Sequence, residues 1–381
     1  MKFKIFKLIK NLVLFFFINI LCSQVEEVGD SLFFILDSGR TINIPYYSNQ
    51  SIFESNEEIE KVIIVIHGQN RNANDYYNYI QNISENINQT NQSLVFSPQF
   101  LLSQDVSYWD LDSSFAFWSG TSSWTGGDLS TSNNQDPRPF FISSFAVMDS
   151  IVQHFLTIFQ NLEKIIIIGN SAGGQFVNRY ASGSQIDGQG KLYHIVCAPS
   201  HYLYFDSNRS INDFQIPIVW GDSLSCNGYN NYRYGLDNLN FYMSQSPIDS
   251  LRHRYYRKKI YYLVGSLDNG GTSYCESNVQ GNDRYHRATV YFNYLINYYG
   301  EDVLEKHKIA FVQNIYHDAE QLFNSDCGVF SIFSIGSCDP LSNIIYPQSN
   351  FTVYNNIGPY PLDVSFVNES IEGTHSIVAN E

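Results

Sequence analysis

Cations are scarce in this chain, and the scarcity narrows what it can touch. Its 22 Lys and Arg face 37 Asp and Glu, for a formal charge of -15. Four of those cations, Lys2, Lys4, Lys7 and Lys10, stand in the first ten residues, so without them the charge is about -19. A surface that acidic repels phosphate backbones, which argues against nucleic acid and anionic membranes as partners. Cysteine is scarce too, and its spacings match no CxxC metal pattern. Asp, Glu and His do not cluster at metal-ligand spacing, and no Gly-rich phosphate or dinucleotide loop is present, so no cofactor and no metal are expected. Past the leader, no run is apolar enough to span a bilayer.

What is present begins with that leader. After the four lysines comes an uncharged apolar stretch, Asn11 to Leu21, which ends at Cys22-Ser23-Gln24. This is the layout of a secretory signal peptide covering residues 1–23. The stretch is about half the roughly 20 residues that a spanning helix needs, so stable membrane insertion is not expected. A secreted chain meets compartments where disulfides persist. Of the five remaining cysteines, Cys327 is expected to pair with Cys338 across a short loop and Cys226 with Cys275. Cys197, inside an apolar run, is expected as a free buried thiol. Sequons at Asn49, Asn82, Asn88, Asn91, Asn208, Asn350 and Asn368 would fit surface glycosylation, although a chain this rich in Asn and Ser generates several by chance.

Short apolar runs alternate with helical patterns, which reads as an α/β fold with a mainly parallel sheet and helices on both faces. Ser31 to Leu36 and Arg40 to Tyr46 flank a turn at Asp37-Ser38-Gly39 and predict an opening hairpin. Further strands are predicted at Lys61 to Ile66, Ser93 to Phe96, Lys164 to Ile168, Lys191 to Cys197, Lys259 to Val264 and Lys308 to Val312, giving eight in all. Helix-spaced stripes run from Tyr76 to Ile87, from Phe145 to Phe159 and from Tyr285 to Tyr299. Residues 24–326 are expected to form one domain. Two stretches, 98–140 and 199–256, fit no regular element and read as inserted loops or a cap. Residues 327–381 read as a C-terminal extension with a disordered end. Tyr108, Trp109, Phe115, Phe117, Trp118 and Trp124 either line an acyl or sugar pocket or pack beneath the first long loop.

The chemistry concentrates at one turn. The strand ending at Ile168 runs into Gly169-Asn170-Ser171-Ala172-Gly173-Gly174 and then into a helical Gln175 to Tyr180. A serine at the apex of such a turn projects its hydroxyl from the sheet edge, and only very small neighbours at Gly169 and Gly173 leave room. The helix that follows aims free N–H groups at developing negative charge. The alternative is an inert serine in a glycine-rich turn.

With these residues the chain resembles the α/β-hydrolase superfamily over roughly Ser31 to Phe323. Its Ser-Ala-Gly-Gly-Gln-Phe-Val-Asn-Arg-Tyr segment is similar to that of secreted fungal and bacterial members. The resemblance implies an oxyanion hole built from the backbone N–H groups of Gln69, in His67-Gly68-Gln69-Asn70, and of Ala172; His67 would fix the loop. It also implies the chain order Ser, acid, His. His317, after Lys308 to Val312, takes the role of base. Asp268, after Ile260 to Val264, takes the role of acid, with Asp222 as its chief competitor. Asp318 reads as a helix cap. His201 is a candidate to touch substrate, set against a solvent-facing loop histidine. The function implied is a secreted serine hydrolase that cleaves an acyl ester, small or polymer-borne, through a covalent acyl-enzyme. Alternatives are a serine peptidase on the same fold and a catalytically inactive binding protein.

Overall fold

The structure is a computed structural model that describes residues 24–132, 137–209, 218–219, 226–338, 351–354 and 365–368. The leader, Asp222, Asn350 and the last ten residues lie outside these. Eight strands form one sheet: β1 (Ser31–Asp37), β2 (Arg40–Ser48), β3 (Lys61–Ile66), β4 (Ser93–Pro98), β5 (Lys164–Asn170), β6 (Leu192–Cys197), β7 (Lys259–Gly265) and β8 (His307–Val312). Their spatial order is β1-β2-β4-β3-β5-β6-β7-β8. The hairpin β1–β2 joins β4 antiparallel, and every pairing from β4 to β8 is parallel.

The sequences of β3 and β5 explain their central place. Alternate side chains of a strand point to opposite faces. Val62, Ile64, Ile165 and Ile167 join the larger core, while Ile63, Val65, Ile166 and Ile168 join the one beneath. Unbroken Val/Ile runs thus need cover on both faces, and each such residue fully buried contributes roughly 1.5–3 kcal/mol.

The predicted stripes supply that cover. Helix α1 (Ala73–Asn86) packs Tyr76, Ile80 and Ile83 on one face. On the other lie α2 (Ser144–Ile158), with Phe145, Met148, Val152 and Phe155, and α3 (Ala172–Gly183), with Phe176, Val177 and Tyr180.

The described residues of the two long stretches hold regular elements that the sequence did not suggest. Within 199–256 lies α4 (Ile248–Arg257), whose Leu251 and Tyr255 are buried in the larger core. Ile248 and Tyr256 are not buried, so only these two positions face the core, among Arg, His and Asp, too few to register as a stripe. The same stretch buries Tyr202, Leu203, Tyr204 and Phe205 against α5 (Arg284–Tyr299). Within 98–140, Leu101–Leu102 pairs with Phe117–Trp118, and Trp124 stacks on Phe100 at 5.5 Å. Phe117, Trp118 and Trp124 are therefore packing residues, whereas Tyr108 and Trp109 are exposed.

After α6 (Ala319–Asn324) comes α7 (Asp326–Phe333), whose Ile332 and Phe333 enter the lower core. The boundary expected at 326 thus falls at the start of a helix that belongs to the domain. Both expected disulfides form, Cys226–Cys275 and Cys327–Cys338, and Cys197 is buried and free. Among the described residues no helix is long and apolar enough to cross a membrane. Phe351–Tyr354 pairs antiparallel with Ser365–Asn368.

Candidate active site at the carboxyl edge of the sheet

Ser171 stands between β5 and α3 with φ 58° and ψ -114°. A positive φ costs a non-glycine residue of order 1–3 kcal/mol, so its surroundings must hold it there. Its N–H donates to Cys197 O at 3.0 Å. A Cβ on Gly169 would sit 2.5 Å from the Gly173 carbonyl carbon, and one on Gly173 would strike the carbonyls of Ile66 and His67. The strand end and the helix start meet with no space for a side chain, which fixes the angle of the turn.

Two loops from the neighbouring strands are fastened together beside it. Past β7 and β8, Ser266 N–H donates to Val312 O, Leu267 N–H to Ile315 O, and Asn314 N–H to Ser266 Oγ. This pairing brings Asp268 and His317 together across 49 residues of sequence, with Nδ1 2.7 Å from Asp268 Oδ2. A carboxylate can only accept here, so Nδ1 carries the proton and Nε2 is left free as a base. Asp268 is buried, and its Oδ1 accepts from Arg284 Nη1 at 3.2 Å. Among the described residues Ser171 Oγ makes no hydrogen bond, to His317 or to any other group. Catalytic hydrogen bonds often tighten only when substrate binds. Asp318 caps α6, accepting from Gln321 N–H, and takes no part in the pair.

The loop after β3 is held from below. His67 is fully buried, and burial pushes its pKa down to about 4. The neutral ring accepts from Phe100 N–H at Nε2, so Nδ1–H donates to Gly68 O, both at 2.9 Å. Arg71 donates to Gln69 O and forms a buried pair with Asp105 at 2.7 Å. Asp105 in turn accepts from the N–H groups of Leu102 and Val25. Neither Gln69 N–H nor Ala172 N–H donates to another described residue. A polar cleft of about 540 Å³ opens beside Asn70, lined by Glu26, Glu27, Asn72, Asp75 and Gln99 among others.

His201 is not a solvent-facing loop histidine. It is buried, with Arg179 Nη2 2.7 Å from Nε2 and the Gln175 amide 3.2 Å from Nδ1. Burial first, and then Arg179, Arg287 and Arg233, push its pKa well down. As a neutral acceptor on a buried guanidinium, its ring ties position 201 to α3. Arg179 also donates to Thr125 O, so it ties together the two long stretches.

Sequence reasoning missed Arg71, Asp105, Arg179 and Arg284. Only Arg284 left a trace, since it directly follows Asp283, the residue that caps α5.

No family model matches the sequence, and no curated protein matches it. Solved structures do resemble it. A poly(3-hydroxybutyrate) depolymerase from Bordetella parapertussis is 19% identical with a TM-score of 0.53, covering 82% of this chain and 93% of that one. Poly(aspartic acid) hydrolase-1 from Sphingomonas sp. KT-1 is 19% identical with a TM-score of 0.47, covering 78% and 96%. Est1E from Butyrivibrio proteoclasticus is 12% identical with a TM-score of 0.38, covering 79% and 95%.

Proposed function

We propose that this chain, which has the α/β-hydrolase fold, is a secreted serine hydrolase that transfers an acyl group from an ester to water. The observation that carries the reading is the Asp268–His317 hydrogen bond on the same sheet edge as Ser171, held at positive φ between strand and helix. His317 Nε2 takes the proton as Ser171 Oγ bonds to the acyl carbon, and Asp268 stabilises the imidazolium. The N–H groups of Gln69 and Ala172 hold the oxyanion, an arrangement whose removal in other hydrolases costs about 10²–10³ in rate. The alcohol leaves with the proton from His317. Water, deprotonated by the same nitrogen, then releases the acid.

The leader-like residues 1–23 and the two disulfides support secretion. The Bordetella depolymerase takes its name from a polyester, poly(3-hydroxybutyrate), and a polymer-borne ester is accordingly one substrate class proposed here. A fluorophosphonate probe should label Ser171 in the folded protein, and Ser171→Ala should abolish both labelling and turnover of short acyl esters. No adduct would reject the enzyme in favour of a binding module. Cleavage of peptides but not esters would make it a peptidase.

A further inference from the structure

The cations this chain does have are not spread evenly. Arg254 and Arg257, in the last turn of α4, and the following Lys258 and Lys259 line one cleft of about 460 Å³ together with His253. Residues 185–187 and Gly190, on the connection from α3 to β6, form its other wall with Leu192, the first residue of β6. One carboxylate, the exposed Asp187, lines it. Among the described residues, none of the four Lys and Arg is in an ion pair.

Three of them are instead anchored on neutral oxygens. Arg254 Nε and Nη2 donate to Ser182 O and Gly183 O, Lys258 Nζ to Ile186 O, and Lys259 Nζ to Gly190 O and Tyr193 Oη. Arg257 is exposed and makes no hydrogen bond among the described residues. Cations in a last helical turn suit the negative end of the helix dipole, which accounts for Arg254 and Arg257. It does not account for the two lysines beyond the helix. Burial lowers the pKa of Lys258, and Arg254 and Arg257 lower it further. Asp187 and Asp149 act in the other direction, but Asp149 already accepts from Tyr180, Ser184 and Tyr242.

We propose that this cleft binds a polyvalent oxyanion, a sulfate or phosphate group, carried on a glycan. An uncompensated cluster of positioned cations in an acid-rich protein is stabilised by an anion that supplies the missing charge. Arginine forks suit tetrahedral oxyanions, and ammonium groups add point charge. The cleft is many times the roughly 30 Å³ share of one water, so it has room for a sugar ring beyond the charged group. The overall negative charge repels polyanions at long range, so recognition acts at short range and through the number of contacts. The cleft opens where β6 and β7 begin, at the opposite edge of the sheet from Ser171. An occupant would hold the protein on an anionic matrix and leave the acyl site open. The cleft itself does not depend on the hydrolase reading.

Calorimetry at about 0.15 M salt tests this on the mature chain with a heparin oligosaccharide, sodium phosphate and an uncharged dextran of matched length. The heparin oligosaccharide should bind. Arg257→Glu combined with Lys259→Glu, both at exposed positions, should weaken it by ~10-fold or more while leaving the circular dichroism and short-ester turnover unchanged. Binding of phosphate with the same dependence on the variant would support the site and make the free anion its ligand. Equal binding of dextran, binding undiminished in the variant, or no binding of either anion would overturn the proposal.

Discussion

Replacing Asp268 by Asn changes one atom, and its surroundings decide which way the new amide turns. The carboxylate accepts at both oxygens, from His317 Nδ1–H at Oδ2 and from Arg284 Nη1 at Oδ1. Arg284 can only donate, so the Asn carbonyl oxygen is drawn to it and the NH₂ faces His317. Nδ1 must then accept, and the ring proton moves to Nε2. That is the nitrogen which should take the proton of Ser171. The expected loss in kcat/KM on a short acyl ester is ~10⁴-fold, or about 5.4 kcal/mol of transition-state stabilisation. Burial of Asp268 leaves little room for water to relieve the conflict at its own end of the bond. This reasoning also predicts a rescue. In Asp268→Asn/Arg284→Met the amide is free to turn its oxygen toward His317, so turnover should recover roughly 10- to 100-fold, as for a coupled pair worth ~1–3 kcal/mol. Circular dichroism and fluorophosphonate labelling serve as folding controls. A loss below ~10-fold in the single variant would refute the assignment of the acid, most clearly if Asp222→Asn cost more. Equal loss in single and double variants would refute the role given to Arg284.

Much of this architecture was legible because it rests on short-range rules. Most of the parallel strands stood out as apolar runs, since strands buried on both faces carry few polar residues, whereas β1 and β2 were marked by the turn between them. Ser171 was legible because a strained turn between two packed elements tolerates only glycine at Gly169 and Gly173. Asp268 and His317 were placed by the chain order that the resemblance implied, and no local pattern marks either of them. What stayed hidden was long-range polar pairing. Arg71 reaches Asp105 across 34 residues, and Arg179 reaches Thr125 across 54. An arginine donating to backbone carbonyls leaves no signature in sequence, because every residue offers a carbonyl. The 199–256 stretch read as loop for the same reason. Its described residues are held by buried tyrosines and by Arg209, which donates to the carbonyls of Asp206, Asn208, Tyr229 and Tyr234.

Three further outcomes follow from the packing. Gly173→Ala should destabilise the fold by about 1–3 kcal/mol in urea unfolding, because its Cβ meets the Ile66 and His67 carbonyls; an unchanged midpoint would contradict the close packing of the turn. Asn82, Asn88 and Asn91 are exposed, whereas Asn49 donates to Ser93 O and accepts from Val95 N–H. Glycopeptide mapping of the secreted protein should therefore find glycan at one or more of the first three, and glycan on Asn49 would contradict its place in the β2–β4 junction. The last outcome concerns acid. His67, His194, His201 and His307 are buried, and burial lowers every one of their pKa values: to about 4 for His67, to about 3 for His194 and His307, and well down for His201. Unfolded histidine titrates near 6.5. Below that pH the unfolded chain takes up four protons that the folded chain refuses, so stability falls as pH falls, and the loss continues until the folded values are reached. Each proton is worth about 1.4 kcal/mol per pH unit, so the four together approach 5–6 kcal/mol per unit near pH 5, against a typical total of about 5–15 kcal/mol. Urea midpoints should hold steady above pH 7.5 and drop steeply from pH 6.5 toward 4.5. Replacing His307 by Gln, which keeps a polar side chain beside Tyr255 O and Tyr262 Oη, should lower the slope by about a quarter. A flat profile from pH 7 to 5 would mean that these rings are protonated or hydrated in the folded state, and the neutral acceptor roles assigned to His67 and His201 would fall with it.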